Sequence, residues 1–212
     1  MAGMDDVYAD PAWFDDRLEI IEKAYLGQTE PWKGSGFSGP RERWNELRMP
    51  VADAITTSGL FLDIGCANGF LLECVAGWTG ARGLTVEPFG LDLSAALVAL
   101  ARARFPGKED HFFVGNALTW QPLRRFQYVR TETVYVPRDT RVYYLGRALE
   151  QFVAPGGALL VAEYRYKGSP HPTLNIDAEL RDLGFKVEKT LVAMDSKSGT
   201  EGTKVAVIRK PA

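Results

Sequence analysis

The sequence predicts an α/β fold: a three-layer sandwich on a mainly parallel seven-stranded sheet whose last strand is antiparallel, with an N-terminal helical lid. Three observations predict it. From about Leu60 onward, short apolar runs alternate with helical stretches, the pattern of a parallel sheet covered by helices. The first of these runs passes through a tight glycine turn directly into a helix. The last two runs are joined by turn chemistry alone, so they pair as an antiparallel hairpin at the sheet edge.

The elements follow in order. Leu60 to Ile64 reads as a buried strand, and Gly69 to Trp78 as a helix with Phe70, Leu71, Cys74 and Val75 on one face. Phe89 to Leu93 is a second strand, held to a late start by Pro88. Ser94 N-caps the next helix, whose apolar stripe is Leu97, Val98, Leu100 and Ala101. His111 to Val114 is a third strand and Phe126 to Val136 a fourth. A helix from Arg141 to Phe152 is ended by Pro155-Gly156-Gly157, before a fifth strand from Ala158 to Tyr164. A helix from Leu174 to Leu183 stops at Gly184 and leads into Phe185 to Met194. Turn residues Ser196 to Gly202 then join that strand to Lys204 to Ile208.

Residues 1–57 differ in character from 58–212, which predicts a helical lid or acceptor-side segment ahead of the main domain. Two helices are expected, Ala12 to Leu26 and Pro40 to Thr57. The Gly- and Ser-rich stretch between them matches G-x-G-x-x-G at Gly34, Gly36 and Gly39. It follows Pro31-Trp32-Lys33 rather than an apolar strand, so it reads as a flexible loop placed to close over a site.

Length and composition bound the function. The 212 residues suit one domain with a short appended lid. Apolar residues at 46% and charged residues at 25% are ordinary for a globular protein with a real core. A formal net charge of -2 and a pI near 5.8 argue against a broad phosphate-binding surface, and no nucleic-acid partner is expected. Cys66 and Cys74 share one apolar segment with no CxxC spacing and no nearby His, so neither a disulfide framework nor a zinc site is indicated. The first residues lack the basic and apolar regions of a signal peptide, and no apolar run approaches membrane-spanning length. The expectation is a cytoplasmic protein without a membrane partner, a monomer or a homodimer.

The chemistry starts where the first strand ends, at Asp63. Gly65-Cys66-Ala67-Asn68-Gly69 fits G-x-A-x-G, and small residues there let the backbone approach a ligand while the helix presents free N–H groups. The dinucleotide fingerprint requires Gly at 67 and Gly or Ala at 70, where Ala67 and Phe70 stand. The turn therefore suits a ligand with no pyrophosphate. Phe89-Gly90-Leu91-Asp92-Leu93-Ser94 places Asp92 at the end of the second strand, where a carboxylate can accept from both hydroxyls of a ribose. Phe113-Val114-Gly115-Asn116-Ala117-Leu118 follows at the third.

With these three segments in order, the chain resembles the class I S-adenosylmethionine-dependent methyltransferases of the small-molecule type, over residues 58–210. The resemblance implies a Rossmann-like fold, S-adenosylmethionine as cofactor and a small-molecule acceptor. It assigns cofactor contacts to Asp63, Gly65, Cys66, Ala67, Asn68 and Gly69, to Asp92 and Leu93, to Asn116, Ala117 and Leu118, and to Thr131 on the fourth strand. The family usually has Gly-Asp-Ala in the third segment. Asn116 replaces that Asp, and its side-chain oxygen can still accept from an adenine amino group.

Methyl transfer is an in-line displacement, in which alignment can supply roughly 7–11 kcal/mol. The acceptor belongs outside the carboxyl ends of the strands, beside strand four. Glu132 is the candidate base or acceptor-orienting group, with Arg130 and Tyr135 next; a structural Arg130–Glu132 ion pair is the alternative. Trp13, Tyr25, Trp32 and Trp44, joined by Phe14, are candidates for an acceptor pocket, or else for packing. One of Arg41, Arg43 and Arg48 is placed to meet the methionine carboxylate or an acidic acceptor, and the sequence does not choose. Thr131 to Val134 lacks the Asn/Asp-Pro-Pro-aromatic motif of base-modifying members, and Asp139 alone makes no metal cluster, so no metal is expected. His171, on the loop after strand five, is in reach of the acceptor site, or else, between its two prolines, is part of a rigid surface loop. Two other functions stay open: a non-catalytic protein that binds S-adenosylmethionine or its homocysteine product, and an NAD-dependent oxidoreductase, against which the missing third glycine and the terminal hairpin count.

Overall fold

The computed structural model describes residues 11–165 and 173–212. Its strands are β1 (Gly59–Ile64), β2 (Val86–Asp92), β3 (Phe112–Val114), β4 (Phe126–Thr131), β5 (Val153–Tyr164), β6 (Val187–Asp195) and β7 (Thr200–Arg209). Its helices are α1 (Pro11–Tyr25), α2 (Arg41–Asp53), α3 (Phe70–Gly80), α4 (Ala95–Arg104), α5 (Arg141–Arg147) and α6 (Ile176–Asp182). The strands form one seven-stranded sheet in the order β3-β2-β1-β4-β5-β7-β6. Every pairing is parallel except those of β7, which runs antiparallel to both β5 and β6.

Both sheet faces are buried, and the two-residue period of a strand divides its side chains between two cores. Phe61, Tyr128, Leu160 and Val207 face one core with Trp44 and Val51 of α2, Phe70 and Val75 of α3, and Val98 of α4. Their neighbours Leu62, Val129, Leu159 and Ala206 face the other, with Tyr144 of α5, Ile176 and Leu180 of α6, and Phe14 of α1. Helix α2 is thus part of the sandwich rather than an appendage to it.

Several boundaries differ from the sequence reading, each for a tertiary reason. Strand β2 begins at Val86 and contains Pro88. Its neighbour β3 pairs only from Gly90 onward, so on that flank a missing N–H costs no ladder bond. Helix α2 stops at Asp53 rather than Thr57, where the N–H groups of Thr56 and Thr57 donate to the Tyr128 hydroxyl at 3.2 and 3.1 Å. Helix α5 continues as one π-helical turn, Ala148–Phe152, that enters β5 at Val153, so Pro155-Gly156-Gly157 forms a bulge inside the strand instead of a loop before it. Helix α6 starts at Ile176, where the Glu163 carboxylate accepts the N–H groups of Asn175 and Ile176 at 2.8 and 2.9 Å. The closing hairpin turns over Ser196–Gly199 only, because Asp195 accepts the Lys197 N–H on its side chain and the Gly199 N–H on its carbonyl.

The most consequential difference is in β4. It ends at Thr131, not Val136, and the chain turns through a 3-10 segment, Thr133–Tyr135. This turn lays Tyr135 across Gly65, where a Cβ would lie 2.6 Å from the Tyr135 ring. Only glycine at 65 allows that approach.

Candidate functional site

The carboxyl ends of β2, β1, β4 and β5 open onto a cavity of about 350 Å³, covered by α1, α2 and the loop between them. This is where ligands bind in open α/β sheets. Gly65, Cys66 and Ala67 of the glycine turn form its floor, and the turn has Gly65, Ala67 and Gly69 at φ values of 76°, 47° and 74°. Among the described residues Ala67 is the one non-glycine with positive φ. That conformation costs an L-residue roughly 1–2 kcal/mol, against about 0.4–1 kcal/mol for the added chain freedom of glycine. Ala67→Gly is therefore expected to raise stability by about 0–1.6 kcal/mol. Urea unfolding checks this, and a clear loss of stability would contradict the strain.

The turn fixes Asp92. The Ala67 N–H donates to Asp92 Oδ2 at 2.8 Å and the Ser94 N–H to Oδ1 at 2.9 Å. Burial pushes this carboxyl above the usual range, and those N–H groups pull it partly back. A carboxylate has about four acceptor sites, so one on each oxygen remains for a ligand. Ser94 caps α4 as expected, accepting from the Leu97 N–H at 3.1 Å, and its hydroxyl donates to Glu22 of α1 at 2.5 Å. Helix α1 is thereby tied to the ligand end of β2. Next to it, the Gly115 N–H donates to the Asp92 carbonyl at 2.9 Å, Asn116 and Ala117 line the wall with Leu93, and Asn116 Oδ1 already accepts the Leu118 N–H at 2.9 Å.

Four residues expected at the cofactor do not reach the cavity. Asn68 donates to the Pro31 carbonyl at 2.8 Å and accepts the Phe70 N–H, joining the turn to the 31–39 loop. Gly69 packs against Ala101 and Phe105 of the α4 end. Leu118 belongs to the core, and the buried Thr131 hydroxyl is paired with that of Tyr144. Asp63, Gly65, Cys66, Ala67, Asp92, Leu93, Asn116 and Ala117 do line the cavity. The 31–39 loop is a compact turn, bonded from Gly36 N to the Lys33 carbonyl and from Phe37 N to the Trp32 carbonyl, and Ser35 and Gly36 contribute to the cavity wall.

Beside the turn, Arg130 organises a charged cluster. One guanidinium nitrogen donates to Asp63 Oδ1 at 3.1 Å and to the Tyr135 hydroxyl at 2.9 Å; the other donates to Glu132 Oε1. The Tyr135 hydroxyl in turn donates to Glu132 Oε1 at 2.7 Å. Burial pushes the Tyr135 phenol well above its ordinary range, so it stays protonated as that donor. The Arg130–Glu132 ion pair is therefore present, and both residues also line the cavity.

Burial pushes the Asp63 carboxyl up to about 7 from 3.8, with Arg130 only partly offsetting it. A folded-state value above the unfolded one means that folding favours the protonated form. The associated stability is full below about pH 4 and is lost as pH rises through about 7. Wild type is thus expected to lose stability relative to Asp63→Asn between those values, by urea unfolding at a series of pH values. Parallel curves would contradict it.

Of the aromatic candidates, Trp13, Tyr25 and Trp44 line the cavity with Phe14. Trp32 does not. Its indole N–H donates to the Gly39 carbonyl at 3.0 Å, and its ring packs on Phe70. Of the three arginines, Arg43 is taken by Asp195 at 2.5 Å, holding that carboxyl down at about 2, and Arg41 lies over Phe70. Arg48 alone reaches the cavity, with Tyr164 from the end of β5. Sequence reasoning missed Tyr164 as a site residue; its available signal was the carboxyl end of a strand. For Arg48 the signal was its spacing four residues after Trp44, which puts both on one helix face. Among the described residues, no group of three or more His, Cys, Asp or Glu side chains is arranged to hold a metal, and no helix is long and apolar enough to cross a membrane. His171 lies outside the described residues.

No protein-family model matches the chain, and no curated protein matches it in sequence. Solved structures do match. The N-methyltransferase NodS from Bradyrhizobium japonicum WM9, in complex with S-adenosyl-L-homocysteine, is 18% identical with a TM-score of 0.61, over 92% of this chain and 98% of that one. The 1,6-didemethyltoxoflavin-N1-methyltransferase from Burkholderia thailandensis, with bound 1,6-didemethyltoxoflavin and S-adenosylhomocysteine, is 16% identical with a TM-score of 0.63, over 97% and 92%. The [4+2]-cyclase SpnF is 16% identical with a TM-score of 0.59, over 84% of each chain. The fold is therefore the Rossmann-like one of the class I S-adenosylmethionine-dependent methyltransferases. The same fold also serves a cyclase.

Proposed function

We propose that this chain transfers a methyl group from S-adenosylmethionine to a small-molecule acceptor. One observation carries the reading: Asp92, fixed between the Ala67 and Ser94 N–H groups, shares a cavity with the glycine turn and with Asn116. The residues fit the cofactor. Asp92 keeps acceptor capacity for two ribose hydroxyls, and the Glu132 carboxylate with the neighbouring aromatic rings suits a sulfonium cation. When bound, the cofactor supplies a methyl on an electron-poor sulfur. The chain's own work is to hold the acceptor in line and to exclude water. On this reading α1 and the 31–39 loop act as the lid, with α1 anchored through Glu22 to Ser94. Glu132, held by Arg130 and Tyr135, orients the acceptor or takes its proton.

The relationship of NodS and the toxoflavin enzyme to S-adenosylhomocysteine supports the cofactor, and the latter's bound small molecule supports the acceptor class. Isothermal titration with S-adenosylhomocysteine and with NAD tests the first step: binding of the former alone is expected, and a folded protein that binds neither defeats the proposal. Transfer from labelled cofactor to a metabolite pool tests the second. A second reading, cofactor binding without methyl transfer, draws support from the similarity to a [4+2]-cyclase, which shows this fold serving a reaction other than methyl transfer. Tight cofactor binding with no labelled product would support it.

A further inference from the structure

Arg48 makes no ion pair and no hydrogen bond with any described residue, and only the more distant charge of Glu132 favours its cationic form. It is 8% exposed, lines the cavity, and has no carboxylate at salt-bridge distance among the described residues. Its guanidinium lies over the Tyr164 ring, 3.5 Å from the centroid, and 4.7 Å from that of Trp44. Ring faces attract a cation but leave its N–H donors unfilled. The Tyr164 hydroxyl beside it is buried and has no hydrogen-bond partner among the described residues either. Of the nearby carboxylates, Asp63 bonds to Arg130, and Glu132 gives one oxygen to Arg130 and Tyr135 while its other makes no ion pair with Arg48. A buried cation left unpaired is costly, so these donors point to an anionic oxygen that arrives with a ligand.

The sheet order says which part of the ligand that is. Asp92 ends β2 and Tyr164 ends β5, and the order β2-β1-β4-β5 puts three strand spacings, about 14 Å, between them. If the nucleoside sits at Asp92, as the proposed function requires, Arg48 and Tyr164 stand beyond the glycine turn and Glu132, at the acceptor end. Trp44 and Tyr164 give that end an aromatic wall, and Trp13, Phe14 and Tyr25 line the same cavity. We infer that the acceptor is an aromatic carboxylic acid whose carboxylate pairs with the Arg48 guanidinium and the Tyr164 hydroxyl.

The test is calorimetric titration of the full chain with 4-hydroxybenzoate, anthranilate and indole-3-acetate, each beside its primary amide, with and without saturating S-adenosylhomocysteine. At least one acid is expected to bind about tenfold or more tighter than its amide. Arg48→Met should abolish that preference and Arg48→Lys retain part of it, with S-adenosylhomocysteine affinity unchanged and melting curves verifying the fold. Acid and amide binding equally, none of the acids binding, or the preference surviving in Arg48→Met overturns the inference. So does loss of S-adenosylhomocysteine affinity in folded Arg48→Met, which assigns the arginine to the cofactor's own carboxylate. A wild type that prefers acids through Arg48 yet binds no S-adenosylhomocysteine keeps the anion site and defeats the cofactor reading instead.

Discussion

Asp92→Asn is expected to weaken S-adenosylmethionine binding about 100-fold, near 2.7 kcal/mol. Two contributions lead to that figure. The carboxylate loses its charge, and each charge-assisted bond to a ribose hydroxyl contributes about 1.5–3 kcal/mol. The amide also offers one acceptor oxygen where Asp92 has two, and both of those already receive backbone N–H groups from Ala67 and Ser94. Its NH2 must then face one of those donors, which loosens the glycine turn or the start of α4. Calorimetry measures the affinity and thermal melting verifies that the variant folds. Asn116→Ala is the internal comparison: it removes a neutral contact whose oxygen is already bonded to Leu118 N–H, so a loss of about tenfold or less is expected there. Affinity within threefold of wild type in Asp92→Asn would remove the ribose role.

What the sequence made legible was local. The run Leu60–Ile64, the small residues of the turn and the Ser94 cap are each decided by neighbours a few residues away, and each stands where it was expected. The antiparallel hairpin was legible for the same reason, since a short turn permits no crossover. Other features depend on partners far off in the chain. Val134 and Val136 extend an apolar pattern that suggests a longer β4, but Arg130 draws Tyr135 back across Gly65 and ends the strand at Thr131. Arg43 and Arg48 stand on one helix and are chemically identical. What separates them is Asp195, 152 residues along the chain, which takes one and leaves the other to the cavity. Trp32 and Trp44 part company similarly, one to the Gly39 carbonyl and one to the cavity edge.

The arrangement around Glu132 turns that missed strand end into a catalytic expectation. The bonds from Arg130 and from Tyr135 both go to Oε1, and Oε2 has no partner among the described residues. A carboxylate gripped on one oxygen presents the other in a fixed direction, here into the cavity that Glu132 lines. The protonated Tyr135 is needed for that grip, because a phenolate there would repel the carboxylate rather than donate to it. Glu132→Gln preserves the shape and keeps an acceptor for Arg130 and Tyr135, while removing the charge and the ability to take a proton. A positioned general base contributes about 10²–10⁴-fold, so kcat with the identified acceptor is expected to fall at least about 100-fold. S-adenosylhomocysteine affinity should change by less than about threefold, because the nucleoside end at Asp92 is untouched. Tyr135→Phe separates aim from chemistry: it leaves the carboxylate in place but frees one of its two restraints, and a smaller loss, about tenfold, is expected from misalignment. Full kcat in Glu132→Gln would reduce the cluster to an ion pair that closes the carboxyl end of β4, and catalysis would then rest on alignment alone.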